Sequence, residues 1–104
     1  MATARIKAGI CGFNTIVTAQ MNGDACELTI ESECPDVERM AQELAQVDPF
    51  QEITFRRGGP RTLQVAARTC KHPACPVPSG IIKAIEVAAG LALPADACIE
   101  LSRE

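Results

Sequence analysis

At 104 residues, with 47% hydrophobic residues and a formal net charge of −3, the chain has the size of one domain, residues 1–104, able to bury roughly two thirds of its unfolded surface around a single core. Its longest apolar runs, such as residues 87 to 93, fall far short of the roughly 20 residues of a membrane span. Three phenylalanines and no Tyr or Trp leave little to stack bases on, so neither a membrane nor nucleic acid is an expected partner.

Residues 3 to 10 alternate Ala4, Ile6, Ala8 and Ile10 against Arg5, Lys7 and Gly9, which predicts a half-buried strand. The same alternation makes MATARIKAGI a poor secretory signal, since it lacks a continuous apolar block. Thr15, Val17, Ala19 and Met21 predict a second strand, Asn22-Gly23 a turn, and Cys26, Leu28, Ile30 and Ser32 a third; together these form a hairpin. With Asn22 and Gly23 as the turn pair, Val17 opposes Leu28 and Cys11 opposes Cys34. A Gly23-Asp24 turn opposes Cys34 to Phe13 instead, with Cys11 and Cys34 still on one face as diagonal neighbours.

Val37, Met40, Ala41 and Leu44 follow helical spacing after Cys34-Pro35. This predicts a helix over 35–47, with Pro35 at its first position and Asp48-Pro49 as its stop. A short strand at 53–56 and a short helix at 62–70 follow. Val77, Ile81, Ile85 and Ala88 make one stripe of a helix over 76–89, ended by Gly90. Ala97, Ile99 and Leu101 alternate with Cys98, Glu100 and Ser102, predicting a last strand over 97–102. The fold class that results is α+β: a small, mainly antiparallel sheet in the order β-β-β-α-(β)-α-α-β, with the helices at 35–47 and 76–89 on one face.

The chemistry concentrates in TCKHPACPVPSG, residues 69 to 80. Two helices start at Cys-Pro, namely Cys34-Pro35 and Cys75-Pro76. A thiol at a helix N-terminus lies beside free N–H groups and the positive end of the dipole, so both are expected to favour the thiolate, which is the form that binds metals and attacks electrophiles. The segment between Glu52 and Glu86 carries six of the ten basic residues and none of the thirteen acidic ones, so it stands at +6 against −9 for the remainder. Such a field lowers thiol pKa values or draws an anionic partner through Arg56, Arg57 and Arg61; a solvated basic loop and helix face explains it equally well.

Six cysteines without an export signal indicate a reducing, cytoplasmic setting, where metal or thiol chemistry outranks a disulfide framework. Cys11 and Cys34 at the open end of the hairpin, with Cys70 and Cys75 around a proline-stiffened loop, have a route to one locus. Four thiolates suit tetrahedral zinc or an iron–sulfur cluster. Taken singly, Cys11 and Cys34 read equally as packing residues. His72 reads as a reserve ligand or as a solvated loop histidine. Cys26 shares its parity with Leu28 and Ile30 and belongs to the core, and Cys98 is a bystander.

The stretches ICGFNTIVTAQMNGDACELTIESEC and CPVPSGIIKAIEVAAG resemble, in order and spacing, the IscU/NifU-type iron–sulfur scaffold proteins. Ala74-Cys75-Pro76 is more similar still to the small TSCPD domain, which carries four cysteines in the order of Cys11, Cys34, Cys70 and Cys75. Phe13 follows Cys-Gly where the scaffolds place an acidic residue, and His72 stands three residues before Cys75 rather than beside it. The resemblance therefore implies a stable metal site rather than cluster assembly, held by Cys11, Cys34, Cys70 and Cys75 with His72 in reserve.

The leading expectation is a small thiolate metal-binding module, structural or carrier, with a protein partner and an exposed sheet edge that allows a homodimer. Two others stand beside it: a low-pKa cysteine, Cys75 or Cys34, that transfers sulfur or exchanges disulfides, and a protein-interaction module whose cysteines are structural only.

Overall fold

A computed structural model of residues 1–104 has eight elements: β1 (Ala2–Lys7), β2 (Asn14–Asn22), β3 (Ala25–Ser32), α1 (Pro35–Glu43), β4 (Gln46–Val47), α2 (Pro49–Glu52), α3 (Arg61–Thr69) and α4 (Val77–Ala88). The strands form one antiparallel sheet in the order β1-β2-β3-β4. The α+β class and the antiparallel sheet agree with the reading of the sequence.

Period-two alternation decides which face the helices cover. Thr15, Val17 and Ala19 of β2 and Cys26 and Leu28 of β3 are buried, whereas Ile16, Thr18, Glu27 and Glu31 between them are half-buried or exposed. The buried set meets Val37, Met40 and Leu44 of the α1 segment, Val65 and Ala66 of α3, and Val77, Ile81, Ala84 and Ile85 of α4 in one cluster. Full burial of a Val, Leu, Ile or Met side chain contributes about 1.5–3 kcal/mol, so Met40, Leu44, Ile81 and Ile85, all fully buried, anchor these helices to the sheet. Cys26 is a core residue with no exposure, as its parity predicts.

The hairpin adopts the second of its two registers. Val17 opposes Ile30, Ala19 opposes Leu28, and Asn22 opposes Ala25 across Gly23-Asp24. Gly23 takes φ +64° while Asp24 keeps a negative φ, the Gly-first pattern of a two-residue II′ loop; an Asn-Gly turn of type I′ would require Asn22 to leave the negative-φ region as well. Because the shift is two residues, every side chain keeps its face.

Other expectations fail for identifiable reasons. The first strand stops at Lys7, because Gly9 (φ +99°) and Gly12 (φ +75°) turn the chain and Gly12 N–H donates to Gly9 O; Cys11 consequently lies in a loop and not opposite β3. Helix α1 ends at Glu43 rather than at 47, since Gln46 and Val47 pair with Glu27 and Cys26 as β4. Asp48-Pro49 begins a helix as well as ending one: the Asp48 carboxylate accepts the Phe50 N–H at 3.0 Å and caps α2. No strand forms at 53–56, where Thr54 Oγ1 accepts the Arg56 N–H at 3.1 Å and Arg57, Gly58 and Gly59 all take positive φ. Residues 97–102 join no sheet, and they are exposed.

Candidate thiol site

The β1–β2 loop, the end of β3, the start of α1 and the start of α4 gather at one end of the sheet. Antiparallel pairing sets this directly, because Lys7 opposes Asn14 and Thr15 opposes Ser32. Cys34 follows β3 as the N-cap of α1, with extended φ −83° and ψ 122° and no hydrogen bond from its side chain. Its sulfur is thus left uncommitted by the helix. Its backbone N–H donates to Ser32 Oγ at 3.1 Å, and that hydroxyl shares a 2.7 Å hydrogen bond with Thr15 Oγ1 across the strand pair. Two hydroxyls on the buried face thereby fix the direction in which the chain enters α1.

Cys70 closes α3 as its C-cap, its N–H donating to Ala66 O at 2.8 Å. The chain then turns sharply at His72-Pro73-Ala74-Cys75, with Cys75 N–H donating to His72 O at 3.1 Å and Pro73 in the second turn position, where a fixed φ is favourable. The Cys70 thiol donates to the same His72 carbonyl at 3.5 Å. One carbonyl therefore holds both ends of the six-residue loop, and the His72 ring stays exposed.

What brings this loop to Cys34 is Asp36. Its Oδ2 accepts the Lys71 N–H at 3.1 Å, and its Oδ1 pairs with Arg39 one turn further along α1. The carboxyl is held below the usual carboxylate range, first by the Lys71 N–H and then by the positive charges of Arg39, Lys71 and His72.

Helix α3, which delivers Cys70, is held at its other end by a second carboxylate. Glu52 is buried and accepts the N–H groups of Arg61 and Thr62 at 2.8 and 2.9 Å and the Thr62 hydroxyl. It supplies the cap that Pro60, at the N-cap position, cannot.

The outcome is a group of three thiols. Burial pushes the Cys75 thiol above its ordinary range, the Val77 N–H opposes that shift, and the charges of Cys70 and Cys34 reinforce it. This corrects the expectation of a favoured thiolate at Cys75. Helix α4 begins at Val77 with Pro76 as its N-cap, so Cys75 lies just outside the helix, and burial with two like neighbours outweighs the single N–H. Cys34, Cys70 and Cys75 are all half-buried against the core.

Cys11 is exposed in the β1–β2 loop at the same end of the sheet and is not among the groups that act on Cys75. No group of three or more His, Cys, Asp or Glu side chains is already arranged to hold a metal ion. Cys98 is exposed in the C-terminal segment, away from any element. The basic segment is partly neutralised within the chain: Arg68 pairs with Glu43, and Arg61 reaches the Glu43 carbonyl. No helix is long and apolar enough to cross a membrane.

A family pattern described as "Family of unknown function (DUF6951)" matches residues 2–101. The chain belongs to this family. As a DUF6951 member it carries the thiol site and the whole C-terminal segment up to Leu101 inside the matched region. No curated protein and no solved structure matches the chain.

Asp36 and Glu52 were not singled out as site-building residues in the sequence. Asp36 is visible there only as a first-turn acid, and Glu52 only as the edge of the basic segment. The hydroxyl of Ser32, two residues ahead of Cys34, is the one local signal that could have been read, as a side-chain acceptor for a nearby N–H.

Proposed function

We propose that this protein is a small thiolate metal-binding module that holds zinc or an iron–sulfur cluster through Cys34, Cys70 and Cys75, with Cys11 as the fourth donor. One observation carries the reading: two segments distant in sequence, the start of α1 and the Cys70–Cys75 loop, carry three half-buried thiols near enough that the charges of Cys70 and Cys34 oppose ionisation of Cys75. Packing alone does not ask for three half-buried thiols together, and a thiophilic cation relieves the repulsion that their ionised forms would suffer.

The donor set fits in kind. Thiolates are the ligands of structural tetrahedral zinc and of iron–sulfur clusters. The Cys75 thiol feels the charges of Cys70 and Cys34, and Cys11 lies on a glycine-flanked loop at the same end of the sheet. The chain's own residues do the positioning. Ser32 and Thr15 orient Cys34, the His72 carbonyl holds the Cys70–Cys75 loop closed, and Asp36 draws that loop to α1.

A metal displaces the thiol proton as it binds, whereas a nucleophile must already be ionised near neutral pH, so the raised Cys75 thiol weighs more heavily against a Cys75 nucleophile. Elemental analysis beside a visible absorption spectrum, on protein purified under reducing anaerobic conditions, is the test. Stoichiometric zinc or iron, lost in Cys34→Ser, supports the proposal. Protein without metal under those conditions contradicts it.

A further inference from the structure

The C-terminal segment has the pattern of a strand and no sheet to belong to. Ala97, Ile99 and Leu101 alternate with Cys98, Glu100 and Ser102, yet Ile99 is 77% exposed and Leu101 90% exposed. Residues 97–101 nevertheless lie inside the family's matched region. Strand β1 is an edge strand, paired only with β2. One row of its backbone N–H and C=O groups is therefore open to a further strand.

Side chains on the two segments are complementary. On the helix-side face of β1, Ala4 and Ile6 are only half-buried; on the opposite face Thr3, Arg5 and Lys7 are exposed. Placing Glu100 antiparallel and opposite Arg5 sets Ile99 against Ile6 and Leu101 against Ala4, and leaves Cys98 and Ser102 opposite Lys7 and Thr3. Period two then delivers apolar to apolar on one face and acid to base on the other. Pro94 falls before the paired residues, where it interrupts no ladder.

The direction of the chain favours the edge of another copy over its own. Helix α4 starts at the thiol end of the sheet, where Gly80 packs on Ile6, and runs to the hairpin end, where it meets α2 next to β4. The segment therefore leaves Gly90 at the hairpin end of the sheet, the end at which β1 begins with Ala2. A strand antiparallel to β1 must start at the Lys7 end. Pairing within one chain would require residues 91–96 to double back along the whole edge.

We infer that residues 97–102 of one copy add to the β1 edge of a second copy, and reciprocally, giving a two-fold dimer by strand exchange. Two such ladders form per dimer, so each contact is made twice. The inference is independent of metal binding and rests on none of the thiols at the sheet end.

Sedimentation velocity on the full chain under reducing conditions tests it. The full chain sediments as a dimer, and a chain ending at Pro94 as a monomer with unchanged far-ultraviolet circular dichroism. Arg5→Glu and Glu100→Arg each put like charges opposite one another at both ladders and weaken the dimer severalfold. Mixing the two variants restores association, because each tail then meets an edge of opposite charge on the other chain. A monomeric full chain, a dimer that survives removal of residues 95–104, or a mixture no tighter than either variant alone overturns the inference. Pairing of the tail within its own chain gives the first of these results.

Discussion

The Asp36 carboxylate on α1 accepts the backbone N–H of Lys71 at 3.1 Å across a sequence separation of 35 residues. This bond joins the helix that Cys34 opens to the loop that runs from Cys70 to Cys75. It is the contact by which distant thiols become neighbours.

Asp36→Ala removes the only side-chain acceptor for that N–H. The amide of Lys71 should exchange with solvent faster than in the parent chain, and the denaturation midpoint should fall. Asp36→Asn retains an acceptor and should lie between the two. Native-state hydrogen exchange measures both; an unchanged Lys71 amide in Asp36→Ala would show that the loop is held by something else.

Glu52 makes a prediction of purely structural origin. Its buried carboxylate satisfies two N–H groups at the start of α3, and leaving buried donors unpaired costs about 1–3 kcal/mol each. Glu52→Ala should therefore lower stability by about 2–4 kcal/mol, and Glu52→Gln, which still offers one acceptor oxygen, by less. Urea denaturation followed by circular dichroism reads this directly. Equal stability of Glu52→Ala and the parent would refute the capping role.

Gly80 marks the closest approach of α4 to the sheet. A Cβ there would overlap Ile6 Cδ1 and come within 2.7 Å of its Cγ1. Helix propensity favours alanine by about 1 kcal/mol, while overpacking costs about 1–3 kcal/mol. Gly80→Ala should be destabilising on its own and stabilising in an Ile6→Ala background, where the obstructing atoms are gone. A double-mutant cycle measures the coupling, and additivity of the two changes would contradict the packing described.

The fourth donor is the subject of another prediction. Cys11→Ser should reduce metal retention and His72→Ala should leave it unchanged, as read by metal-to-protein stoichiometry after desalting. The reverse pattern would transfer the role from the β1–β2 loop to the exposed His72 ring.

What was legible in the sequence was whatever local periodicity encodes. The stripe of Val37, Met40 and Leu44, the parity of Cys26 and the place of Cys34 before its helix follow from spacing alone, and all three hold in the structure. The hairpin register was open by two residues, because Asn22-Gly23 and Gly23-Asp24 are both acceptable turn pairs and both preserve the buried face. The direction of the Cys75 shift is not legible in the sequence, since a helix N-terminus is visible there whereas burial and the approach of Cys34 are not. Asp36 and Glu52 escaped notice for the same reason: their partners, Lys71 and Arg61-Thr62, lie far along the chain. The alternation at 97–102 is real, but a strand also needs an edge to pair with, and these residues join no sheet within the chain.

The most direct test of the central claim is titration of the reduced, metal-free protein with cobalt(II), followed by near-ultraviolet thiolate-to-metal charge-transfer absorption. Binding at one site should give a band that saturates at one equivalent of cobalt and weakens in each of Cys34→Ser, Cys70→Ser and Cys75→Ser, while Cys98→Ser leaves it intact. No band, or a band indifferent to those three substitutions, would contradict the account.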